Sequence, residues 1–261
     1  MSSEGAGAAQ ARAFTARNGL AYGLLGLPLA FVALPLYVIL PNHYAREFGV
    51  PLATLGAILL GARLFDAFID PLLGRLSDRL FARSARSVLT LGAIAALVLA
   101  IGFALLFFPP ARTPGALIVW ASVMLMITYA AYSALSVSHQ SWGAMLGGNE
   151  AQRSRIVAWR EGLGLIGVVL ASVTPVALGL PATTALFVVA LIAGWLAWSR
   201  AVRPVAKAGL HTVEAGAIWR PFKHASFRRL LAVFMFNGIA SAVPATLVLF
   251  FIQDRLQAPP A

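Results

Sequence analysis

The sequence predicts an all-α, polytopic membrane protein, and three observations support that fold class. Of its 261 residues, 60% are hydrophobic and only 11% are charged, whereas soluble domains carry about 25% charged residues. The apolar residues form continuous runs rich in Leu and Ala, and a run of about 20 such residues spans a bilayer as an α-helix. The strands of a membrane barrel would instead alternate between apolar and polar residues over about ten positions.

Seven apolar segments are predicted to be transmembrane helices. They lie near residues 20–40, 50–73, 87–108, 115–137, 157–180, 183–200 and 229–252. The first segment lacks the small-residue cleavage site that would follow a signal peptide, so we interpret it as an uncleaved span.

A long polar stretch between the sixth and seventh helices defines the expected domain organisation. Because only one helix follows that stretch, we expect the chain to be incomplete. The predicted parts are a cytoplasmic N-terminus at 1–19, a six-helix transmembrane bundle at 20–200, a basic cytoplasmic linker at 201–228, and a seventh transmembrane helix with a truncated C-terminus at 229–261.

The net charge of +11 is explained by membrane orientation. If the N-terminus is cytoplasmic, 15 of the 20 lysines and arginines fall on the cytoplasmic side, three fall outside, and Arg63 and Arg160 fall within spans. Cytoplasmic loops retain such residues, so we expect a multi-pass protein of the cell inner membrane. The basic residues occur in short runs between apolar segments, which does not favour a nucleic-acid partner.

Several chemical classes are excluded by composition. The chain has no cysteine, which rules out disulfides, thiol catalysis and cysteine-ligated metals. From the third helix onwards the predicted spans contain only Glu161, with Asp254 at the outer end of the seventh. Too few carboxylates remain for a two-metal catalytic cage, so we expect neither an enzyme nor a bound cofactor.

The second predicted helix carries three charges, Arg63, Asp66 and Asp70. Spacings of three and four residues place them on one helix face, and charges within a membrane normally pair or face a wet cavity. Their sum of −1 requires one more positive charge, which predicts that Asp66 and Asp70 bind a proton or a metal cation such as sodium. The alternative is that Arg63 simply pairs with Asp66 to hold helices together.

Pro71 and the residues after it predict a boundary. Proline has no N–H and crowds the preceding turn, so the helix is expected to kink or end there. Gly74 would then allow a tight turn, and Asp78 and Arg79 would form a conformational latch at the cytoplasmic surface. The alternative is a basic membrane anchor.

Other polar and aromatic residues are candidates for substrate binding. Arg160 and Glu161 are expected to open the fifth helix, where the guanidinium of Arg160 could bind substrate hydroxyls. Tyr22 and Trp142 could stack on a sugar ring. The alternative for Arg160 and Glu161 is an ion pair at the membrane interface. The alternative for Tyr22 and Trp142 is an aromatic belt at the membrane surface.

Three motifs carry a resemblance to a known family. The segment RLFDAFIDPLLGRLSDR, from Arg63 to Arg79, resembles the second-helix signature of the glycoside–pentoside–hexuronide cation symporters, the melibiose-permease-like branch of the major facilitator superfamily, including the superfamily's motif between helices 2 and 3. The stretches Gln140–Leu146, Asn149–Arg155 and Trp159–Glu161 are similar to the family's connection between helices 4 and 5. The layout matches from residue 18 to the end, as the first half of a twelve-helix fold plus one helix.

The resemblance implies cation symport. Asp66 and Asp70 would bind sodium or a proton, and Arg63 and Arg160 would lie near the sugar and cation sites. The sugar-transporting members carry aspartates where this chain has Pro28 and Ser136, so cation coupling is better supported than galactoside recognition.

We therefore expect cation-coupled transport of a small polar solute, such as a sugar or glycoside. The alternatives are a transport-inactive half that needs a complementary bundle, and a carrier of a lipid-like substrate. The expected partners are the lipid bilayer, the solute, the coupling cation, and a second helical bundle or a second copy of the chain.

Overall fold

A computed structural model describes residues 14–204 and 220–250. All regular secondary structure within these ranges is helical, which confirms the all-α prediction. Contacts between residues divide the chain into two compact units, Met1–Lys207 and Ala208–Ala261. Most of the predicted N-terminal segment and linker, and the end of the seventh predicted helix with Asp254, lie outside the described residues.

Five helices among the described residues are long and apolar enough to cross a membrane. They are Ala16–Glu47, Leu52–Arg83, Ala85–Phe107, Pro114–Met145 and Glu150–Ser199.

The first span consists of consecutive helical segments. Thr15 caps its start, because the Thr15 hydroxyl accepts a hydrogen bond from the Asn18 N–H at 3.3 Å. A five-residue π-helical turn interrupts the α-helical geometry near the middle of the span. The segments are α1 (Ala16–Gly23), α2 (Gly26–Leu34), the π-helical turn (Pro35–Ile39) and α3 (Leu40–Glu47).

The second span is the single helix α4, Leu52–Arg83. Of the kink or end expected at Pro71, the end is wrong, as is the turn at Gly74, because α4 continues to Arg83 with Pro71 in its interior. Neighbouring groups can satisfy the carbonyl that a proline frees within a membrane helix, so proline is tolerated there. Ser84 alone, with an extended backbone, separates α4 from α5 (Ala85–Phe107).

The fifth and sixth predicted helices lie in one long helix, α7 (Glu150–Ser199), which follows α6 (Pro114–Met145). Gly179 breaks the helical geometry of α7, with φ 79°, near the end of the fifth predicted helix. Asn149 caps the start of α7, accepting a hydrogen bond from the Gln152 N–H at 2.9 Å. Arg160 therefore lies within the helix and does not open it, contrary to the expectation.

Close helix contacts hold the first span against α7. A Cβ atom on Gly194 would lie 2.9 Å from the Cα of Leu25, and one on Gly167 would overlap the backbone of Leu27. Small residues at such positions let membrane helices approach closely. Helix α5 packs against α6 and α7, and α4 packs mainly against α6.

Side chains from two neighbours cap the C-terminal carbonyl groups of α5. The Trp120 indole N–H donates to the Leu105 carbonyl at 3.0 Å, and the Tyr44 hydroxyl donates to the Leu106 carbonyl at 2.9 Å. Nε2 of His43 lies 3.2 Å from the Phe107 carbonyl. The last carbonyls of a helix have no partner within the helix, so these contacts fasten the end of α5 to the first span and α6.

The second unit contains α8 (Arg220–Lys223) and α9 (Ala225–Phe250). Nη1 of Arg228 donates to the carbonyls of Phe222 at 3.0 Å and Lys223 at 3.3 Å. Arg228 thereby joins the two helices across the short break between them.

Candidate functional site

A carboxylate on α4 meets a hydroxyl on α6. The Ser133 hydroxyl donates to Oδ1 of Asp66 at 2.6 Å, and the Asp66 side chain is only 13% exposed. This distance is typical of a hydrogen bond from a hydroxyl to a charged oxygen. Asp66 is therefore fixed in position through one of its two oxygens.

The second oxygen of Asp66 has a looser partner. Nη1 of Arg63 lies 3.7 Å from Oδ2 of Asp66, well beyond the 2.7–2.9 Å of a charge-assisted hydrogen bond. Cζ of Arg63 lies 3.9 Å from the ring centroid of Tyr37 and 5.5 Å from that of Tyr129. The guanidinium is thus shared between a carboxylate and two aromatic rings, and its side chain is 49% exposed.

The third charge of the predicted set, Asp70, lies one helical turn further along α4 and is exposed. It interacts electrostatically with Asp66. The structure therefore brings Arg63, Asp66 and Asp70 together along one helix, with Asp66 the most enclosed of the three.

Sequence reasoning missed two residues of this cluster, Tyr37 and Ser133. A signal for Ser133 was present in α6, where polar residues recur every three or four positions. That spacing puts them along one side of a helix. The residues are Tyr129, Tyr132, Ser133, Ser136 and Gln140.

A second polar region is a cavity of about 140 Å³ between the first span, α6 and α7. Nε and Nη2 of Arg160 donate to Oε1 of Glu161 at 3.0 and 2.5 Å. Tyr132 also interacts electrostatically with Arg63 and Asp66, so it lies between the two polar regions. The polar residues that line the cavity are Tyr132, Ser136, His139, Gln140, Arg160 and Glu161.

Tyr22 is occupied in contacts between helices. Its hydroxyl donates to the His139 carbonyl at 3.2 Å, and Nε2 of His139 donates to the Tyr22 carbonyl at 2.8 Å. The two rings stack with centroids 4.4 Å apart, and both side chains are buried. This reciprocal pair holds the first span to α6.

Trp142 is fully buried at the same end of α6. Its indole N–H donates to the Val202 carbonyl at 2.9 Å, and its ring meets that of Trp198 edge-on at 5.3 Å. The packing around Tyr22 and Trp142 favours a role in helix association, and substrate binding by either residue stays a prediction.

The predicted latch residues lie in the last third of α4. Asp78 and Arg79 are exposed, and a Cβ on Gly74 would have no atom within 4 Å. Neither a turn nor a close contact therefore requires glycine at this position, and the latch stays a prediction.

Comparison with known proteins agrees with this architecture. The family model described as "MFS/sugar transport protein" matches residues 19–261. The protein named "Putative glycoside/cation symporter YagG" of Escherichia coli is 26% identical over 59% of this chain and 33% of its own length. The protein named "Putative sulfoquinovose importer" of Salmonella typhimurium is 29% identical over 60% of this chain and 33% of its own length.

A third relative, "Inner membrane symporter YicJ" of Escherichia coli, is 25% identical over 50% of this chain and 28% of its own length. The chain thus spans about a third of the length of the curated relatives it matches. Since the family model covers almost all of the chain, this polytopic helical membrane protein belongs to the MFS/sugar transport protein family.

Proposed function

We propose that this chain acts in cation-coupled symport of a small polar solute, such as a sugar or glycoside, with Asp66 at the centre of the cation site. One observation carries the proposal. Asp66 is a largely enclosed carboxylate in a membrane span, with a hydroxyl at 2.6 Å on one oxygen and a guanidinium no closer than 3.7 Å to the other.

The electrostatics of this cluster favour an additional cation. A charge within a membrane span costs several kcal/mol unless it is compensated, and Arg63 balances only one of the two aspartates. A proton on Asp66 would restore neutrality. Sodium would do the same, because the carboxylates and the Ser133 hydroxyl are the hard oxygen ligands that such cations prefer.

The cavity beside this cluster is the proposed solute site. Arg160 and Gln140 offer hydrogen-bond donors, and Ser136 and Tyr132 offer hydroxyls. A guanidinium can bind two adjacent hydroxyls through its planar fork, and the relatives' names support a sugar or glycoside as the solute.

Coupling would pass through α6. Ser133 contacts the cation site, while Ser136 and Tyr132 line the cavity. A cation bound at Asp66 would fix Ser133 and hence the face of α6 that binds the solute. Coupling of this kind requires that the cation bind one state of the protein more tightly than another.

The relative lengths suggest that transport involves further helices. The relatives are about three times as long as their matched regions, and alternating access generally needs two bundles that move around a central site. We therefore propose a second bundle or a second copy as partner. We also propose that the chain lies in the inner membrane with its N-terminus in the cytoplasm. Gly74, Asp78 and Arg79 would form a conformational latch.

The test is equilibrium binding of a panel of radiolabelled glycosides to the purified chain, measured with and without sodium and at several pH values. Binding should strengthen with sodium or with acid, and Asp66→Asn should abolish that dependence while membrane insertion is unchanged. Glu150→Gln removes an exposed carboxylate in the first turn of α7 and should behave like the unmodified chain. Undiminished cation dependence in Asp66→Asn would refute the assignment.

A further inference from the structure

The π-helical turn in the first span carries Tyr37 at its centre. Within this turn the Leu40 N–H bonds to the Pro35 carbonyl, five residues earlier. Such turns inside α-helices are uncommon and frequently occur at functional sites. A π-helical turn holds more residues than an α-helical turn, so the residues in it and after it face a different side of the helix. The turn therefore determines where the Tyr37 ring points.

Two prolines account for the position of this turn. Pro35 begins it, and Pro41 follows it by two residues. Because proline has no N–H, Pro41 cannot bond to the Tyr37 carbonyl four residues earlier, and Pro35 cannot bond to the carbonyl of Phe31. The α-helical hydrogen bonds are therefore missing on both sides of Tyr37.

The Tyr37 ring and the Asp66 carboxylate attract the same guanidinium. The ring centroid is 3.9 Å from Cζ of Arg63, which is close for a contact between a cation and an aromatic face. Tyr129 adds a second ring on α6, with its centroid 5.7 Å from that of Tyr37. While the guanidinium contacts these rings, Nη1 of Arg63 lies 3.7 Å from Oδ2 of Asp66.

We propose that Tyr37 is a positioning residue that holds the Arg63 guanidinium on its ring and so prevents Arg63 from closing onto Asp66. Arg63 remains near enough to influence the carboxylate without replacing the coupling cation. This inference rests on the proposed function only in assigning Oδ2 of Asp66 to that cation. The contact between Tyr37 and Arg63 can be tested without transport.

The experiment measures how fast a hydrophobic carbodiimide modifies Asp66 in the purified full chain, followed by peptide mass spectrometry. The O–H of a protonated carboxyl group adds across one C=N bond of the reagent, and the O-acylisourea formed rearranges to a stable N-acylurea that mass spectrometry detects. A closely paired counter-ion keeps the carboxyl group ionised and so slows this addition. Tyr37→Leu removes the aromatic face, and Arg63 should then pair closely with Asp66 and slow the modification about fivefold to tenfold. Tyr37→Phe keeps the face and should stay within about twofold of the unmodified chain.

A double variant separates positioning from a general structural effect. In an Arg63→Gln background, Tyr37→Leu should no longer change the rate, because the competing charge is gone. The inference is overturned if Tyr37→Leu leaves the rate unchanged, if Tyr37→Phe slows it equally, or if the slowing persists without Arg63.

The same measurement distinguishes failure of the proposed function. Sodium or a transported glycoside should alter the modification rate if Asp66 is the coupling site. If neither ligand alters the rate, the function assigned to Asp66 is wrong, while the dependence of the rate on Tyr37 and Arg63 still decides the inference.

Discussion

Helix α6 makes two polar contacts with neighbouring spans, and they differ in charge and in whether each partner donates to the other. Towards the first span, His139 and Tyr22 each donate to the other's backbone carbonyl, while Nδ1 of His139 is buried without a partner among the described residues. Towards α4, Ser133 bonds to one oxygen of Asp66, and the other oxygen lies 3.7 Å from the Arg63 guanidinium. The first contact, which we call the closed contact, is buried and reciprocal, which suits a permanent joint. The second, the open contact, is charged and lacks a close partner for one carboxylate oxygen, which suits a site that binds and releases an ion.

The largest expected effect is on the closed contact. His139→Ala should lower the free energy of unfolding by about 3 kcal/mol, because it empties a fully buried site and removes the donor to the Tyr22 carbonyl. Thermal unfolding of the purified protein measures this change. His224→Ala, at an exposed histidine, is the control. A loss below about 1 kcal/mol would show that the joint is not structural.

The open contact should respond more strongly in function than in stability. Ser133→Ala removes the hydroxyl that holds Asp66, and hydrogen bonds to charged groups contribute about 1.5–3 kcal/mol. We expect the sodium concentration for half-maximal glycoside binding to rise about tenfold, because sodium would lose the hydroxyl as an oxygen ligand. Ser122→Ala is a matched control, because the Ser122 hydroxyl bonds within α6, to the Ile118 carbonyl at 2.7 Å. A large fall in thermal stability with unchanged cation affinity would reverse the comparison.

The smallest effect should come from Tyr22→Phe. This change removes the hydroxyl that donates to the His139 carbonyl but keeps the stacked ring, so about 1 kcal/mol of stability should be lost. Thermal unfolding of Tyr22→Phe and of His139→Ala would measure how much the Tyr22 hydroxyl and the His139 side chain each contribute to the stability of this contact. Equal losses in the two variants would mean that the hydroxyl, and not the imidazole, dominates the joint.

The spans were predictable because length and apolarity alone determine which segments enter a bilayer. The end of α4 was not, since a proline signal is ambiguous in a membrane, where Pro71 sits inside a helix that continues to Arg83. The start of α7 was also misplaced, because residues 150–156 are polar and hydropathy does not detect helix beyond the apolar core.

The candidate site was predictable only in part. Three charges in one apolar helix identified Arg63, Asp66 and Asp70, since their chemistry is unusual in a membrane. The contact between Asp66 and Ser133 joins residues 67 positions apart and depends on how two helices are rotated about their axes. Hydropathy carries little information on that rotation. Tyr37 was missed for a similar reason, although Pro35 and Pro41 mark the turn that orients it.

The single residue between α4 and α5 has a mechanical consequence. With only Ser84 connecting them, neither helix can slide along the membrane normal without pulling the other. The far end of α5 is fastened by Trp120, Tyr44 and His43. A displacement of α4 would therefore reach α5 as a tilt about this fastened end, and lengthening the connection at Ser84 by a few glycines would uncouple the two helices.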